Sequence, residues 1–508
     1  MIGFRSAKPV VSFGKPSLPL DGRWNLGRIP HCQRTNTTAQ MTEQNELPTD
    51  TLTDSPDGAP QLISPFQQPA LSQREQANDQ GHLVPTLDIP ETLDIDQLND
   101  TPIVELLQLA EALRLRFNPD RSRHHLVVDI ATAYANAGST LIAEAVTDVS
   151  SQGSVFLRWQ RYNFRPIPQD IQVPLHIDRT FRFKPGLKVK ARLRAPRDRE
   201  RFLSVEEVLS VEGIPAAEWR EPADFDRLTA THPNQRVILE NPGARSISPR
   251  AIDLVAPLGK GQRALIVAPP RAGKTVLLKD IAQSIVKNHP EASLIILLVD
   301  ERPEEVTDFR RTVNAEIYSS TFDENAQRHT QVAEMVLDRA KRLVELNKTV
   351  IILLDSITRL SRGYNNLQPG KGRIMSGGLD TKALIKPKKF FGAARNTAEG
   401  GSLTIVATAL VETQNRMDDI IFEEFKGTGN MELRLDRSLA EKRVFPAINI
   451  PQSGTRRDEL LYHPAEFEKV NLVRRKLATL PPIESMEYLS GILKATTSNA
   501  ELLLTIRI

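Results

Sequence analysis

The residues Ala268-Pro269-Pro270-Arg271-Ala272-Gly273-Lys274-Thr275 close a short apolar run and open a helical pattern. A glycine-bearing turn between strand and helix aims several backbone N–H groups at one point, and the helix N-terminus favours an anion there. Those donors suit phosphate oxygens. In such a loop Lys274 reaches the β- and γ-phosphates of ATP, and Thr275 offers its hydroxyl to Mg²⁺. Ala268 stands where the usual motif has its first glycine, while Gly273-Lys274-Thr275 is intact.

Two further apolar runs end in acids. Ile351–Leu354 leads into Asp355, the carboxylate expected in the Mg²⁺ shell. Leu297–Val299 leads into Asp300-Glu301-Arg302, where Glu301 is assigned the role of orienting and polarising the attacking water. Phosphoryl transfer also needs cations against the spreading negative charge. Arg302, Arg359, Arg443 and Arg456 are all candidates, and spacing does not choose among them.

Groups on three strand ends must be held by a common sheet. Ala264–Ala268, Leu294–Asp300, Thr349–Asp355 and Leu403–Leu410 are short, continuously apolar runs, separated by amphipathic segments such as Gln331–Leu346. That alternation predicts buried parallel strands with crossover helices, an α/β core over 248–508. Upstream, Thr101-Pro102 with Glu105 reads as a helix start. Leu106, Leu107, Leu109, Ala110 and Leu113 follow as an apolar stripe, and Leu126–Ala131 suggests a second helix closed by Asn136–Gly138. A small helical domain is expected over 94–150.

Over 151–213 the period changes to two. Val155, Leu157 and Trp159 fall on one face of the run Ser154–Phe164; Phe156, Arg158, Gln160, Tyr162 and Phe164 fall on the other. The runs Val173/Leu175/Ile177 and Leu187/Val189/Ala191 continue the strand pattern, and a five-stranded barrel fits the length. Rings and cations on one strand face suit base stacking, or they cover the barrel end. Residues 214–247 read as a linker.

The net charge of +3 conceals segregation. Residues 1–40 hold 6 basic groups and 1 acidic, residues 41–100 hold 1 basic and 12 acidic, and the rest holds 59 and 50. Residues 1–93 are rich in Pro, Gln, Ser, Thr and Asp without periodicity, so a disordered leader is expected. Its basic start fits either an organelle address or a chain whose true start is Met41. The lone Cys32 excludes an intramolecular disulfide framework and a cysteine zinc cluster. No apolar run approaches the roughly 18 residues of a membrane span. A cytoplasmic protein without membrane partners is expected.

Five motifs resemble the transcription termination factor Rho family over about 95–508. They are Gly259-Lys260-Gly261-Gln262-Arg263 leading to Pro269–Thr275, Asp300–Val306, Asp355–Leu360, Gly427–Leu433 and Glu441–Ala447. The resemblance implies a homohexameric ring of RecA-like P-loop ATPase domains, each behind an OB-fold of cold-shock type at 151–213. Such a ring translocates 5′→3′ along single-stranded nascent RNA and dissociates RNA polymerase. It implies catalytic roles for Lys274, Glu301, Asp355 and, as an arginine finger reaching the neighbouring subunit's γ-phosphate, Arg456. It implies nucleotide contacts from Gly259, Lys260, Gly261, Gln262, Arg263, Ala264, Arg271, Ala272, Gly273, Lys274, Thr275, Val276 and Arg302, with Phe445 packing on adenine. RNA contacts are implied for Phe156, Arg158 and Asp170 in the barrel, for Arg373, Ile374 and Ser376 in one central loop, and for Arg416 in another. Ser154 and Gln172 stand where the family pattern has rings, so the site is either weaker or less pyrimidine-selective, or Trp159, Tyr162 or Phe164 supplies replacement stacking. A secretion or rotary ATPase, and an RNA-binding scaffold that does not turn over ATP, are the competing readings.

Overall fold

The computed structural model describes residues 89–115, 122–167, 170–197, 200, 202–243, 246–369 and 376–506. The leader up to residue 88, with Met41 and Cys32, lies outside the described residues, as do Arg373 and Ile374.

Five strands close a barrel in the order Thr140–Val149, Val155–Arg158, Ile171–Val173, Ser204–Val211, Lys188–Arg194, and the last pairs back onto the first. Closure leaves no open sheet edge. Its first strand comes from the segment expected to be helical. Thr92–Asp94, at the junction of the expected disordered leader and helical domain, pairs in parallel with Thr140–Ile142; three residues are too short for periodicity to reveal. The expected strand through Leu175 and Ile177 stops at Val173, because Pro174 instead precedes a helix, Leu175–Phe181.

Helices Ile103–Ala112 and Arg123–Asn136 form where the stripe and cap signals indicate. Their buried faces do not make a separate core. Leu106, Ala110, Leu126, Ile130 and Ala131 share one apolar cluster with Leu141, Leu157 and Val189 of the barrel. Residues 214–247 are more than a tether: Trp219, Phe225, Val237 and Leu239 are buried, and Ala230–Thr231 pairs with Asn396–Thr397.

The C-terminal sheet holds six parallel strands in the order Glu316–Thr321, Ser293–Glu301, Thr349–Asp355, Ser402–Leu410, Arg263–Ala268, Met431–Arg434, with Gly454–Thr455 antiparallel at one edge. Both faces are apolar. Within one strand Ile296 and Leu298 enter one cluster, while Ile295, Leu297 and Val299 enter the other. Double burial explains why these strands read as unbroken hydrophobic runs. The parallel arrangement brings the ends at Ala268, Glu301 and Asp355 to one rim.

Candidate nucleotide cleft and nucleic-acid surface

Ala268 ends its strand and Lys274 begins the helix Lys274–Asn288. Gly273 caps that helix at φ 86°, a left-handed conformation that glycine takes without steric cost. A Cβ there would also stand 3.5 Å from the Phe445 ring. Phe445, 46% exposed, thus leans over the loop. Phe445, Val276, Leu277, Leu435, Arg271 and Ala272 line a cleft of about 320 Å³. A loop of N–H donors beside an apolar slot fits a ligand with phosphates at one end and a flat ring at the other.

The Lys274 ammonium donates to the Asp355 carboxylate at 2.5 Å and lies 3.7 Å from Glu301. Both acids are almost wholly buried. The Thr408 hydroxyl, unanticipated from sequence, donates to the same Asp355 oxygen at 2.8 Å. The other Asp355 oxygen, Oδ2, and Glu301 Oε2 are buried without a hydrogen-bond partner. Burial first, and then the charge of Asp355, push the Glu301 carboxyl above the ordinary glutamate value. Two buried, incompletely satisfied carboxylates at the Lys274 ammonium fit a hydrated divalent cation, with the Thr275 hydroxyl on the next residue of the chain. The Thr275 hydroxyl meanwhile donates to Glu305 at 3.1 Å.

A bulge aims Glu301. The pairing with Glu316–Thr321 shifts between Val299 and Glu301, and Asp300 takes φ 55°. The extra residue puts Glu301, rather than Asp300, inward. Arg359 reaches both acids, at 3.8 Å from Asp300 and 3.7 Å from Glu301. Arg302 is exposed at the start of the helix Pro303–Thr312.

Gly259–Ala264 are not in this cleft, contrary to their expected grouping with the loop. They precede and open the strand whose far end carries it. Gln262 donates to Asn430 there, and Arg263 donates to the carbonyls of Thr428 and Ala394. Arg456 lies at that same end. Its N–H donates to the Asn430 carbonyl, and Thr455 is level with Met431, itself level with Ala264. Four strand residues, roughly 13 Å, separate that level from Ala268.

On the barrel, Phe156 is half-exposed and meets Phe202 edge-on with centroids 6.1 Å apart. Phe202 went unnoticed in the sequence because no alternation marks it. The Arg158 guanidinium sits 5.2 Å from the Phe156 ring centroid and is held by Asp148 and Asp170. Asp170 is buried, and burial pushes its carboxyl up to about 6. Arg158 and Asp170 therefore form a foundation under the aromatic pair rather than an open contact face. The replacement rings are also turned away: Trp159 is buried in the barrel core, Phe164 is buried against Tyr318, and the Tyr162 hydroxyl donates to Asn99. The alternation fails because the strand ends at Arg158 and a short 3-10 turn, Gln160–Tyr162, follows.

Of the first central loop only the end is described, whereas residues 412–416 of the second are described throughout. A Cβ on Gly377 would stand 2.9 Å from the Met417 nitrogen, so the Ser376–Gly378 turn backs onto exposed Arg416, the first residue of the helix Arg416–Lys426.

Residues 248–455 match the nucleotide-binding domain of the ATP synthase alpha/beta family, and residues 143–217 match the RNA-binding domain of Rho termination factor. The chain is 47% identical over 460 residues to transcription termination factor Rho of Akkermansia muciniphila, covering 91% of this chain and 97% of that one. It is 48% identical over 413 residues to the Rho of Cereibacter sphaeroides, covering 81% and 98%. With the Rho of Salmonella typhimurium it shares 45% over 409 residues, 80% and 98% of the two chains. A phosphate loop with its acids on one rim, an aromatic barrel surface and this degree of likeness together show that the chain belongs to the transcription termination factor Rho family.

Proposed function

We propose that this protein is an RNA-dependent ATPase that moves 5′→3′ along single-stranded nascent RNA and terminates transcription by dissociating RNA polymerase in the cytoplasm. The observation that carries the reading is the meeting of Lys274, Glu301 and Asp355 at one rim of the sheet, in a chain whose barrel presents the Phe156–Phe202 pair.

Lys274 binds the β- and γ-phosphates of ATP in place of its present carboxylate partners. Thr275 and Asp355 hold Mg²⁺, whose chemistry is to neutralise charge on the phosphate oxygens. Glu301, in its ionised form, orients the attacking water and accepts its proton. Phe445 and Val276 enclose the adenine. Arg456 lies at the opposite end of the strand from the loop and so cannot serve its own cleft. That separation supports a head-to-tail homohexamer in which Arg456 of one subunit completes the next subunit's site, with Arg263 nearby. Phe156 and Phe202 stack RNA bases; Ser376 with Arg373 and Ile374 of the same loop, and Arg416, grip the strand in the ring.

The test is ATP hydrolysis measured with no RNA and with each homopolymer. Strong stimulation by a single-stranded RNA is expected. Turnover that no RNA changes overturns this reading in favour of a secretion or rotary ATPase, and absence of any turnover favours a scaffold.

A further inference from the structure

Between the barrel strand Val155–Arg158 and Asp170 the chain makes a detour that leaves the barrel and enters the ATPase core. Its centre is two successive non-glycine residues in the left-handed region, Asn163 at φ 52° and Phe164 at φ 60°. Such a pair persists only where surrounding contacts hold it. Those contacts come from the outermost sheet strand, Glu316–Thr321, and the helix after it, Ala326–Glu345.

The Ser319 N–H donates to the Asn163 side chain at 3.0 Å. Arg328, itself buried, donates to the carbonyls of Tyr162 at 3.0 Å and Asn163 at 2.6 Å. The Gln160 amide donates to the Tyr318 hydroxyl at 2.7 Å, which in turn donates to Glu316 at 2.8 Å. Phe164 is 0% exposed and belongs to the apolar cluster of the ATPase core, its ring 4.5 Å from that of Tyr318. Arg165 pairs with Glu324.

The far end of the same outer strand reaches the catalytic rim. Thr321 is level with Glu301, and the Phe322 N–H donates to the Glu301 carbonyl at 3.2 Å. The turn thus connects, within one short stretch, the strand bearing Phe156 to the strand that flanks Glu301.

We propose that Gln160, Asn163 and Phe164, together with Tyr318 and Arg328, are positioning residues that couple RNA on the barrel to the setting of Glu301. The proposal rests on the functional reading above. RNA stacked on Phe156 shifts the strand that carries it. The turn cannot absorb a displacement, because its backbone is clamped and its phenyl ring is embedded in close-packed core. The displacement passes to the outer strand and so to the bulge at Asp300 that aims Glu301. The coupling requires the polar clamp and the ring together, and neither touches ATP or RNA.

The test uses the full chain with Gln160→Ala, with Tyr318→Phe, and with both. Tyr318→Phe removes one oxygen and keeps the packed ring, so the fold is preserved if Gln160→Ala proves disruptive. RNA affinity, unstimulated turnover and RNA-stimulated turnover are measured on each. The expected result is unchanged RNA affinity and unchanged unstimulated turnover, with stimulation cut by about five-fold and the double variant no worse than the stronger single one. Full stimulation in both variants overturns the proposal. A parallel fall of stimulated and unstimulated turnover with lowered thermal stability also overturns it, since that is the signature of packing alone. If the unaltered protein is not stimulated by any RNA, the functional reading fails, and that outcome is distinguished before any variant is made.

Discussion

The nucleotide cleft and the barrel surface put buried charge to different uses. In the cleft, buried carboxylates face the Lys274 ammonium and are left short of hydrogen bonds, so that Asp355 Oδ2 and Glu301 Oε2 have no hydrogen-bond partner. On the barrel, the buried pair Arg158–Asp170 also leaves one oxygen, Asp170 Oδ1, without a hydrogen-bond partner, but it lies beneath the surface and props up a ring. The first arrangement stores unmet polarity for chemistry. The second spends its charge on rigidity, and the ligand meets a face whose stacking tolerates many sequences. Catalysis and grip therefore fail differently when single residues are changed.

Lys274→Ala should produce the largest effect. ATP turnover is expected to fall at least about 10²-fold while RNA affinity of the barrel, measured without nucleotide, stays the same. Joint loss of both would break the contrast between the two regions. Next, Phe156→Ala and Phe202→Ala should each weaken RNA binding by about 1–3 kcal/mol, read by titration with a short single-stranded RNA, with unstimulated turnover intact. Because the rings touch, the double variant should lose less than the summed single losses; strict additivity would show two independent platforms.

The smallest effect sharpens the comparison through pH. Burial raises the Glu301 carboxyl, so its ionised form is lost, as pH falls, at a higher pH than for an exposed glutamate. The acid limb of turnover should accordingly begin above the ordinary glutamate range, and Asp355, which raises Glu301 further, contributes to that position. An acid limb at the value of an exposed glutamate would show that Glu301 is not the group that must be ionised.

The cleft was legible because its chemistry sits at ends of doubly buried strands. Apolar runs that stop abruptly at Asp355 or at Asp300-Glu301 mark both the sheet and the rim. What escaped there was tertiary: the bulge that selects Glu301 over Asp300, and the Thr408 hydroxyl contributed from the adjacent strand. The barrel was less legible. Alternation continued in the sequence past Arg158 although the strand did not, so Gln160, Tyr162 and Phe164 were expected on a face they leave. Phe202 comes from a distant strand's entrance and carries no local signature. Gly259–Ala264 lie near the loop in sequence yet an entire strand away from it in space.

The common core of the helices and the barrel bears on how this chain can be cut. The segment recognised as an RNA-binding domain runs from 143 to 217, but the buried set it depends on includes Ile95, Leu106 and Ile130 upstream. A fragment begun at residue 143 would lack all three pairings with Thr92–Asp94 and two of the six with Lys188–Arg194, and would leave an apolar flank wet. Each fully buried aliphatic side chain lost from that flank is worth about 1.5–3 kcal/mol, against a total domain stability of only about 5–15 kcal/mol. The segment matched as an RNA-binding domain is thus shorter than the set of residues that pack together, and a fragment for binding studies should begin no later than Pro90, whose carbonyl accepts from the Ser139 hydroxyl.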